Sequence, residues 1–255
     1  MIELNTDNVL TVRGTIKEDN VNRFIYELNK MDNKQDIYVY LDTNGGSVSA
    51  GTKIVNEVEK YNMSCIAQRA YSMGFVILQA CTQRYITPYA TVMQHQISYG
   101  MANEKAKVES YVRFVDQIGD QLEKMQATKI GMCPKAFKEK TYNDWWLSGD
   151  NIIEENVADE IVDVTCTKEL TMSNYTVATM FGNDVYSNCP LISHPVGNQA
   201  KIRNPLAKII PCLVKDVAAK HDTLLHHAKH DTLLHHAKHD TLLHHAKHDT
   251  LKSDL

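Results

Sequence analysis

The sequence predicts an α/β fold built on a largely parallel sheet. Predicted strands alternate with predicted helices of about 10–15 residues, an order typical of parallel sheets with helical crossovers. The predicted strand at residues 36–41 is mostly apolar, as expected when both faces of the sheet are covered. The chain has 255 residues, of which 43% are hydrophobic, so it can form one sizeable core.

The individual elements follow from hydrophobic spacing and from capping residues. Residues 8–12 alternate as a strand, and residues 16–31 have helical spacing behind caps at Thr15 and Asp19. A turn at residues 43–46 follows the strand at residues 36–41. The other predicted elements are helices at 49–61, 72–81, 134–140 and 151–158, an extended piece at 142–147, and strands at 65–67, 85–86, 91–93 and 161–164.

The spacing of apolar residues over 102–129 predicts one long, charged helix with an apolar stripe. This helix is too long for a simple crossover between two strands. We therefore expect part of it to project from the domain or to pack on a partner.

The pattern predicts three parts. Residues 1–166 form a compact domain, and residues 167–219, which show no stable period, form an irregular accessory segment or a linker. Residues 220–255 are a tail of nine-residue tandem repeats (KHDTLLHHA), and of the 12 histidines only His95 and His194 lie outside it. Nine residues make about 2.5 helical turns, so the leucine pairs cannot form one continuous stripe.

The tail has two interpretations. His226, His227 and His230 recur at helical spacing, which could chelate Zn²⁺ or Ni²⁺ in an ordered tail. The second interpretation is a duplicated, solvated tail that buries little. No cofactor is expected.

Composition excludes several classes of function. The net charge of −4 gives no reason to expect nucleic acid or a membrane as a partner. No secretory signal and no membrane span is evident, so a cytoplasmic protein is expected. The six cysteines include no C-x-x-C pair, and we expect reduced thiols.

Three separated residues together predict acyl-transfer chemistry. Ser72 lies at a strand-to-helix junction, His95 follows an apolar strand, and Asp144 precedes two tryptophans. Taken singly, they could be a helix cap, a structural histidine and a turn residue. Together they supply a nucleophile, a base and a group that orients the base. The amides of Met73 and Gly46 are natural donors to an oxyanion.

Four motifs, in order and with close spacing, resemble the proteolytic subunit of the Clp protease over about residues 9–164. Residues 41–51 (LDTNGGSVSAG) are similar to its glycine-rich loop, and residues 70–74 (AYSMG) to its nucleophile motif. Residues 92–96 (VMQHQ) are similar to its histidine motif, and residues 144–148 (DWWLS) to its aspartate motif.

The resemblance implies a crotonase-like fold of ββα units in a homo-oligomer of stacked, heptameric rings. It implies an ATP-dependent serine endopeptidase that cleaves unfolded or extended polypeptides and works with a Clp ATPase. Ser72 would be the nucleophile, His95 the general base and acid, and Asp144 the residue that orients His95. Gly46 and Met73 would form the oxyanion hole. The long helix would be the handle helix, which mediates contact between rings and borders the substrate groove.

Two departures from the family pattern leave the function open in part. The first predicted strand begins within ten residues of Met1, which puts the usual gating segment and the ATPase partner in question. About 90 residues follow the last predicted strand. Virus-encoded relatives that mature capsids share both features, and such a protein would act in the host cytoplasm. A non-catalytic ring or scaffold subunit and an acyl-CoA enzyme of the crotonase type are also compatible with the sequence.

Overall fold

The computed structural model describes residues 1–180 and 182–200, and Met1–Gln199 form one compact unit. In chain order the elements are β1 (Ile2–Leu4), β2 (Val9–Ile16), α1 (Glu18–Lys30), β3 (Tyr38–Gly46), α2 (Val48–Lys60), β4 (Ser64–Tyr71), α3 (Met73–Ala80), β5 (Arg84–Gln94), α4 (Lys105–Ile130), α5 (Pro134–Lys140), a 3₁₀ turn (Thr141–Asn143), β6 (Trp145–Ser148), α6 (Asp150–Glu154), β7 (Glu160–Ile161), β8 (Val164–Cys166), α7 (Lys168–Met172), β9 (Asn174–Thr179), β10 (Gly182–Ser187) and β11 (Gly197–Ala200).

The main sheet has the strand order β2-β3-β4-β5-β6. Strands β2 to β5 are parallel, β6 runs antiparallel to β5, and β7 pairs with β5 in parallel. The predicted α/β fold with a largely parallel sheet is therefore confirmed. Parallel strands end at one edge of the sheet, and this edge receives the ends of β3, β4 and β5.

The two faces of the sheet bury different cores. Successive side chains of a strand point to opposite faces, so Val39 and Leu41 join the helices on one face while Tyr40 faces the other. Helices α1, α2 and α3 cover the first face. On the second face, Tyr40 and Ile66 pack with Leu4 from β1 and with Leu170 from α7.

Several predicted boundaries are wrong, including that of the helix at 151–158, which ends at Glu154. Residues 43–46 form the end of β3 rather than a separate turn, and the strand at 161–164 is divided between β7 and β8. The two short strands around Pro88 are one strand, β5. Its pairing with β4 shifts register, because Ala67 pairs with Ile86 and Arg69 with Thr91. The extra residues bulge at Pro88, which has no N–H to give to a sheet.

The long helix α4 is present as predicted, and its two ends differ in burial. No residue of α4 before Val115 is buried, whereas Gln126, Ala127 and Ile130 are. The helix ends at Gly131, which has φ 79° and adopts the left-handed conformation that favours glycine. The first half of α4 is thus an exposed arm, and only its last turns are anchored in the core.

The described part of the accessory segment, up to residue 200, is regular. Strand β1 pairs in parallel with β8, and β9, β10 and β11 form a three-stranded sheet. Leu170 and Cys189 are 2% exposed in the second core, and the Arg13 side chain donates to the carbonyl of Ile192 at 3.2 Å. The division at residues 166 and 219 stays a prediction, and the repeat tail lies outside the described residues.

Of the five cysteines among the described residues, four are paired. Disulfides join Cys65 to Cys81 and Cys166 to Cys189, with Cα atoms 5.7 and 6.0 Å apart. The prediction of reduced thiols is wrong for these four, because the fold brings residues 16 and 23 positions apart within bonding distance. Within the described ranges, none of the helices is long and apolar enough to span a bilayer.

Candidate active site

Ser72 occupies a strained turn between β4 and α3. Its φ and ψ are 52° and −117°, a backbone conformation that residues other than glycine rarely adopt. The turn is fixed because the Ser72 N–H donates to the Met93 carbonyl of β5 at 2.8 Å. The Ser72 side chain makes no capping hydrogen bond to α3. Its hydroxyl is therefore not used as a helix cap.

The first turn of α3 places backbone amides beside Ser72. The leading N–H groups of a helix have no acceptor within it, and they carry the positive end of its dipole. Met73 supplies the first of these amides, and its side chain is 2% exposed. A Cβ at Gly51 would lie 2.3 Å from Met73 Cγ, so α2 needs glycine there to accommodate Met73.

The double glycine at the end of β3 lies against the Ser72 turn. A Cβ at Gly45, which has φ 84°, would lie 2.5 Å from the Tyr71 carbonyl oxygen and 2.7 Å from Ser72 Cβ. Gly46 lines the same cavity as Ser72 and Met73. The sequence indicated Gly46 as an amide donor but missed the steric role of Gly45. The only signal for it was the double glycine itself.

His95 directly follows β5 and faces Ser72. Its Nε2 lies 2.9 Å from Ser72 Oγ, so the two side chains share a hydrogen bond. This distance is short enough for a proton to pass from the hydroxyl to the imidazole. The structure thus brings together two of the residues that the sequence singled out, 23 positions apart in the chain.

Asp144 and His95 lie at the same end of the β5–β6 pair, but no hydrogen bond joins their side chains among the described residues. Strand β6 pairs antiparallel with β5, and the last pair of this ladder is Gln94 with Trp145. Asp144 precedes Trp145 by one residue and has φ 56°. Its side chain is exposed.

A cavity of about 70 Å³ opens beside Ser72 and His95, between α3 and the last turns of α4. Two of its lining side chains are buried and polar: Gln94 is 5% exposed and Gln126 is 2% exposed. Sequence reasoning missed both, since a lone glutamine in a strand or a helix has no distinctive pattern. Glu123 also lines the cavity, and its pKa is raised by burial and by the nearby Asp120, against the effect of Lys138.

Potential metal ligands do not cluster in the part of the chain that the structure describes: no group of three His, Cys, Asp or Glu side chains could hold an ion. The tail histidines His226, His227 and His230 lie outside the described residues.

The fold and this site belong to a family of peptidases. A serine hydroxyl hydrogen-bonded to a histidine sits at the end of a parallel strand, and helix amides lie beside it. The family model for Clp protease matches residues 1–165, and the chain belongs to the Clp protease family.

Among curated proteins, the chain is similar to the ATP-dependent Clp protease proteolytic subunit of Streptococcus pyogenes. The subunits of serotype M5 (strain Manfredo) and serotype M49 (strain NZ131) are each 29% identical over 167 residues. Each match covers 62% of this chain and 85% of the relative. The residues matched by the family model include Ser72, His95 and Asp144.

Proposed function

We propose that the protein is a serine endopeptidase of the Clp type, with Ser72 as nucleophile and His95 as general base and acid. In this proposal Asp144 orients His95, and the amides of Gly46 and Met73 form the oxyanion hole. The observation that supports it most directly is the 2.9 Å contact between Ser72 Oγ and His95 Nε2 at a strained turn.

The reaction begins with attack by Ser72 on a peptide carbonyl. His95 Nε2 accepts the hydroxyl proton while Oγ bonds to the carbonyl carbon, and the π electrons move to the carbonyl oxygen. The negative charge develops where the Met73 and Gly46 amides can donate to it. Such donors stabilise the transition state because they are already oriented.

The tetrahedral intermediate then collapses. The carbon–nitrogen bond breaks, the protonated His95 gives its proton to the leaving amine, and an acyl-enzyme remains on Ser72. A water molecule, deprotonated by His95, attacks the ester and releases the acid. Ser72 recovers its proton from His95, so the cycle consumes one water for each peptide bond.

We propose that the active form is a homo-oligomer of stacked, heptameric rings that acts on unfolded polypeptides. The exposed arm of α4 supports this part of the proposal. Tyr111 on the arm contacts Tyr99 and Phe114, with ring centroids 6.1 and 6.3 Å apart, and Phe114 is 54% exposed. An exposed aromatic cluster of this kind favours a protein partner. A Clp ATPase is the proposed partner for substrate delivery, by similarity to relatives whose name includes ATP dependence.

Covalent labelling tests the chemistry. A fluorophosphonate probe should label the full-length protein at Ser72, and both Ser72→Ala and His95→Ala should abolish labelling. Cleavage of casein-derived peptides should be lost in the same two variants. Ser110→Ala is the matched control, because Ser110 is an exposed serine of α4 that does not line the cavity.

Native mass measured in the same samples separates the outcomes. A large assembly that is labelled and active supports the proposal as a whole. A large assembly without labelling contradicts the peptidase assignment and favours a scaffold subunit. An active monomer contradicts the ring.

A further inference from the structure

Two buried glutamines connect the histidine segment to the long helix α4. The side-chain oxygen of Gln94 accepts from the backbone N–H of His95 at 3.0 Å. The Gln94 amide nitrogen donates to the side-chain oxygen of Gln126, whose own amide nitrogen donates to the Leu122 carbonyl at 2.9 Å. Both side chains are at least nine-tenths buried and both line the cavity beside Ser72.

This pair has hydrogen-bonding capacity that the protein does not use. A carboxamide nitrogen carries two N–H donors, and in the described part of the chain each of these nitrogens has one acceptor. Each glutamine therefore retains one N–H, and both residues line the cavity. Buried polar groups with an unused donor favour a polar occupant, because an apolar one leaves them unpaired.

The cavity lies where the residue before the scissile bond must place its side chain. The attacked carbonyl carbon has to sit near Ser72 Oγ with its oxygen towards the Met73 and Gly46 amides. All three residues line the same cavity as the glutamines. The Cα of the acyl residue is one bond from the attacked carbon, so its side chain enters this space.

The lining of the cavity is mixed in character. Val76 and Phe137 provide apolar walls around the two amides. A side chain with an apolar stem and a polar end matches both features.

On the basis of the proposed peptidase function, we infer that Gln94 and Gln126 determine specificity for the residue on the acyl side of the cleaved bond. They favour asparagine, glutamine or threonine there over leucine, methionine or valine. The unused N–H groups of the two glutamines donate hydrogen bonds to the acceptor atom of the substrate side chain.

Fluorogenic peptides that differ at one position test this preference. Three nearly isosteric pairs, Asn with Leu, Gln with Met and Thr with Val, are placed before the scissile bond in otherwise identical peptides. The wild-type assembly should show kcat/KM about tenfold higher for the polar member of each pair, as expected for one or two added hydrogen bonds. In Gln126→Met this ratio should fall to about one or below.

The control variant is Gln121→Met, because Gln121 is an exposed glutamine on the same helix, and it should keep the wild-type ratio. Gln94→Met tests the second member of the pair and should also lower the ratio. Fluorophosphonate labelling and native mass show that each variant is folded and assembled. If Gln126→Met fails to fold, Gln94→Met and the wild-type ratios still decide the matter.

The outcomes distinguish this inference from the proposed function. Hydrolysis of all peptides with equal kcat/KM for the polar and apolar members overturns the specificity role alone. Unchanged ratios in both glutamine variants do the same. Absence of labelling at Ser72 in the assembled wild-type protein overturns the proposed function and, with it, this inference.

Discussion

His95 and Asp144 each lie one residue beyond the last pair of the β5–β6 ladder. That last pair is Gln94 with Trp145, so His95 follows one member and Asp144 precedes the other. Side chains at directly opposed positions of antiparallel strands have Cβ atoms about 4.5–5.5 Å apart. A continuation of the ladder would bring Asp144 within reach of the His95 ring, although here Asp144 has φ 56° and is exposed.

Asp144→Asn tests whether this carboxylate orients His95 during the reaction. We expect kcat to fall on the order of 10³–10⁴-fold, since an asparagine can hold the imidazole in the wrong tautomer. The rate of fluorophosphonate labelling should fall in parallel, while native mass and melting temperature stay the same. Asp116→Asn, at an exposed position of α4, is the control. An Asp144→Asn enzyme with wild-type kcat would remove Asp144 from the mechanism.

Two glycines with similar positive φ values allow a matched test of the Ser72 turn. Gly45 and Gly14 have φ 84° and 69°, but a Cβ at Gly45 would collide with Tyr71 and Ser72, whereas one at Gly14 would meet nothing within 4 Å. We expect Gly14→Ala to cost about 1–2 kcal/mol in free energy of unfolding from backbone strain alone. Gly45→Ala should cost more and should also abolish labelling of Ser72.

Urea unfolding and probe labelling of both glycine variants provide the measurement. Equal losses of stability, with labelling retained in Gly45→Ala, would show that β3 does not need to approach the nucleophile so closely.

The Arg84–Asp159 pair predicts a loss of stability in acid. Arg84 is 3% exposed, and its Nη1 donates to Gln79 at 2.8 Å. Burial alone would raise the pKa of Asp159, but hydrogen bonds from the Arg84 side chain and backbone outweigh it and lower that pKa. The stabilisation is therefore present above the ordinary value of 3.8 and is lost as pH falls through the lower folded pKa.

Asp159→Asn should lower the free energy of unfolding by about 3 kcal/mol at pH 7, because it leaves the buried guanidinium without its anion. The variant should also lose the part of the acid sensitivity that arises below pH 3.8. Glu160→Gln changes an exposed neighbouring acid and serves as the control. Urea titrations at several pH values measure both effects, and parallel acid curves for Asp159→Asn and wild type would contradict the assignment.

Leu170→Ala tests whether the segment after residue 166 contributes to the stability of the domain. Leu170 is 2% exposed against the second face of the sheet, so we expect a loss of about 2–4 kcal/mol in free energy of unfolding. Met172→Ala lies on the same short helix but is 69% exposed, and it should change stability little. Thermal or urea unfolding compares the two. Equal, small effects would show that the segment is only loosely attached.

The sequence predicted the class of fold, most of the elements and the residues proposed for catalysis. Apolar strands separated by amphipathic helices produce strong periodic signals, which located α1, α2, α4 and α5 closely. Ser72 and His95 were also within reach of sequence reasoning. Parallel strands end at one edge, so residues that follow two adjacent strands meet there, as the 2.9 Å contact shows.

Other features depend on contacts that no local pattern encodes. Gln94 and Gln126 meet only because the last turns of α4 return to the end of β5, 32 residues away. The hairpin of β9 and β10 was predicted as irregular because both strands are largely polar. It is supported by stacked Tyr175 and Tyr186, whose ring centroids are 5.5 Å apart. The bulge at Pro88 depends on the register in which β5 pairs with β4, and the local sequence does not specify that register.

At position 72, the residue needed for the proposed catalysis is one that the positive φ disfavours, so activity there lowers the stability of the fold. A side chain held at φ 52° and ψ −117° costs about 1–3 kcal/mol, which glycine avoids. A lineage that no longer needs proteolysis would therefore gain thermal resistance by exchanging its nucleophile for glycine, whereas alanine would bring no such relief. Inactive descendants of this fold should accordingly accumulate glycine at the position of Ser72, and they should melt at a higher temperature than their active ancestors.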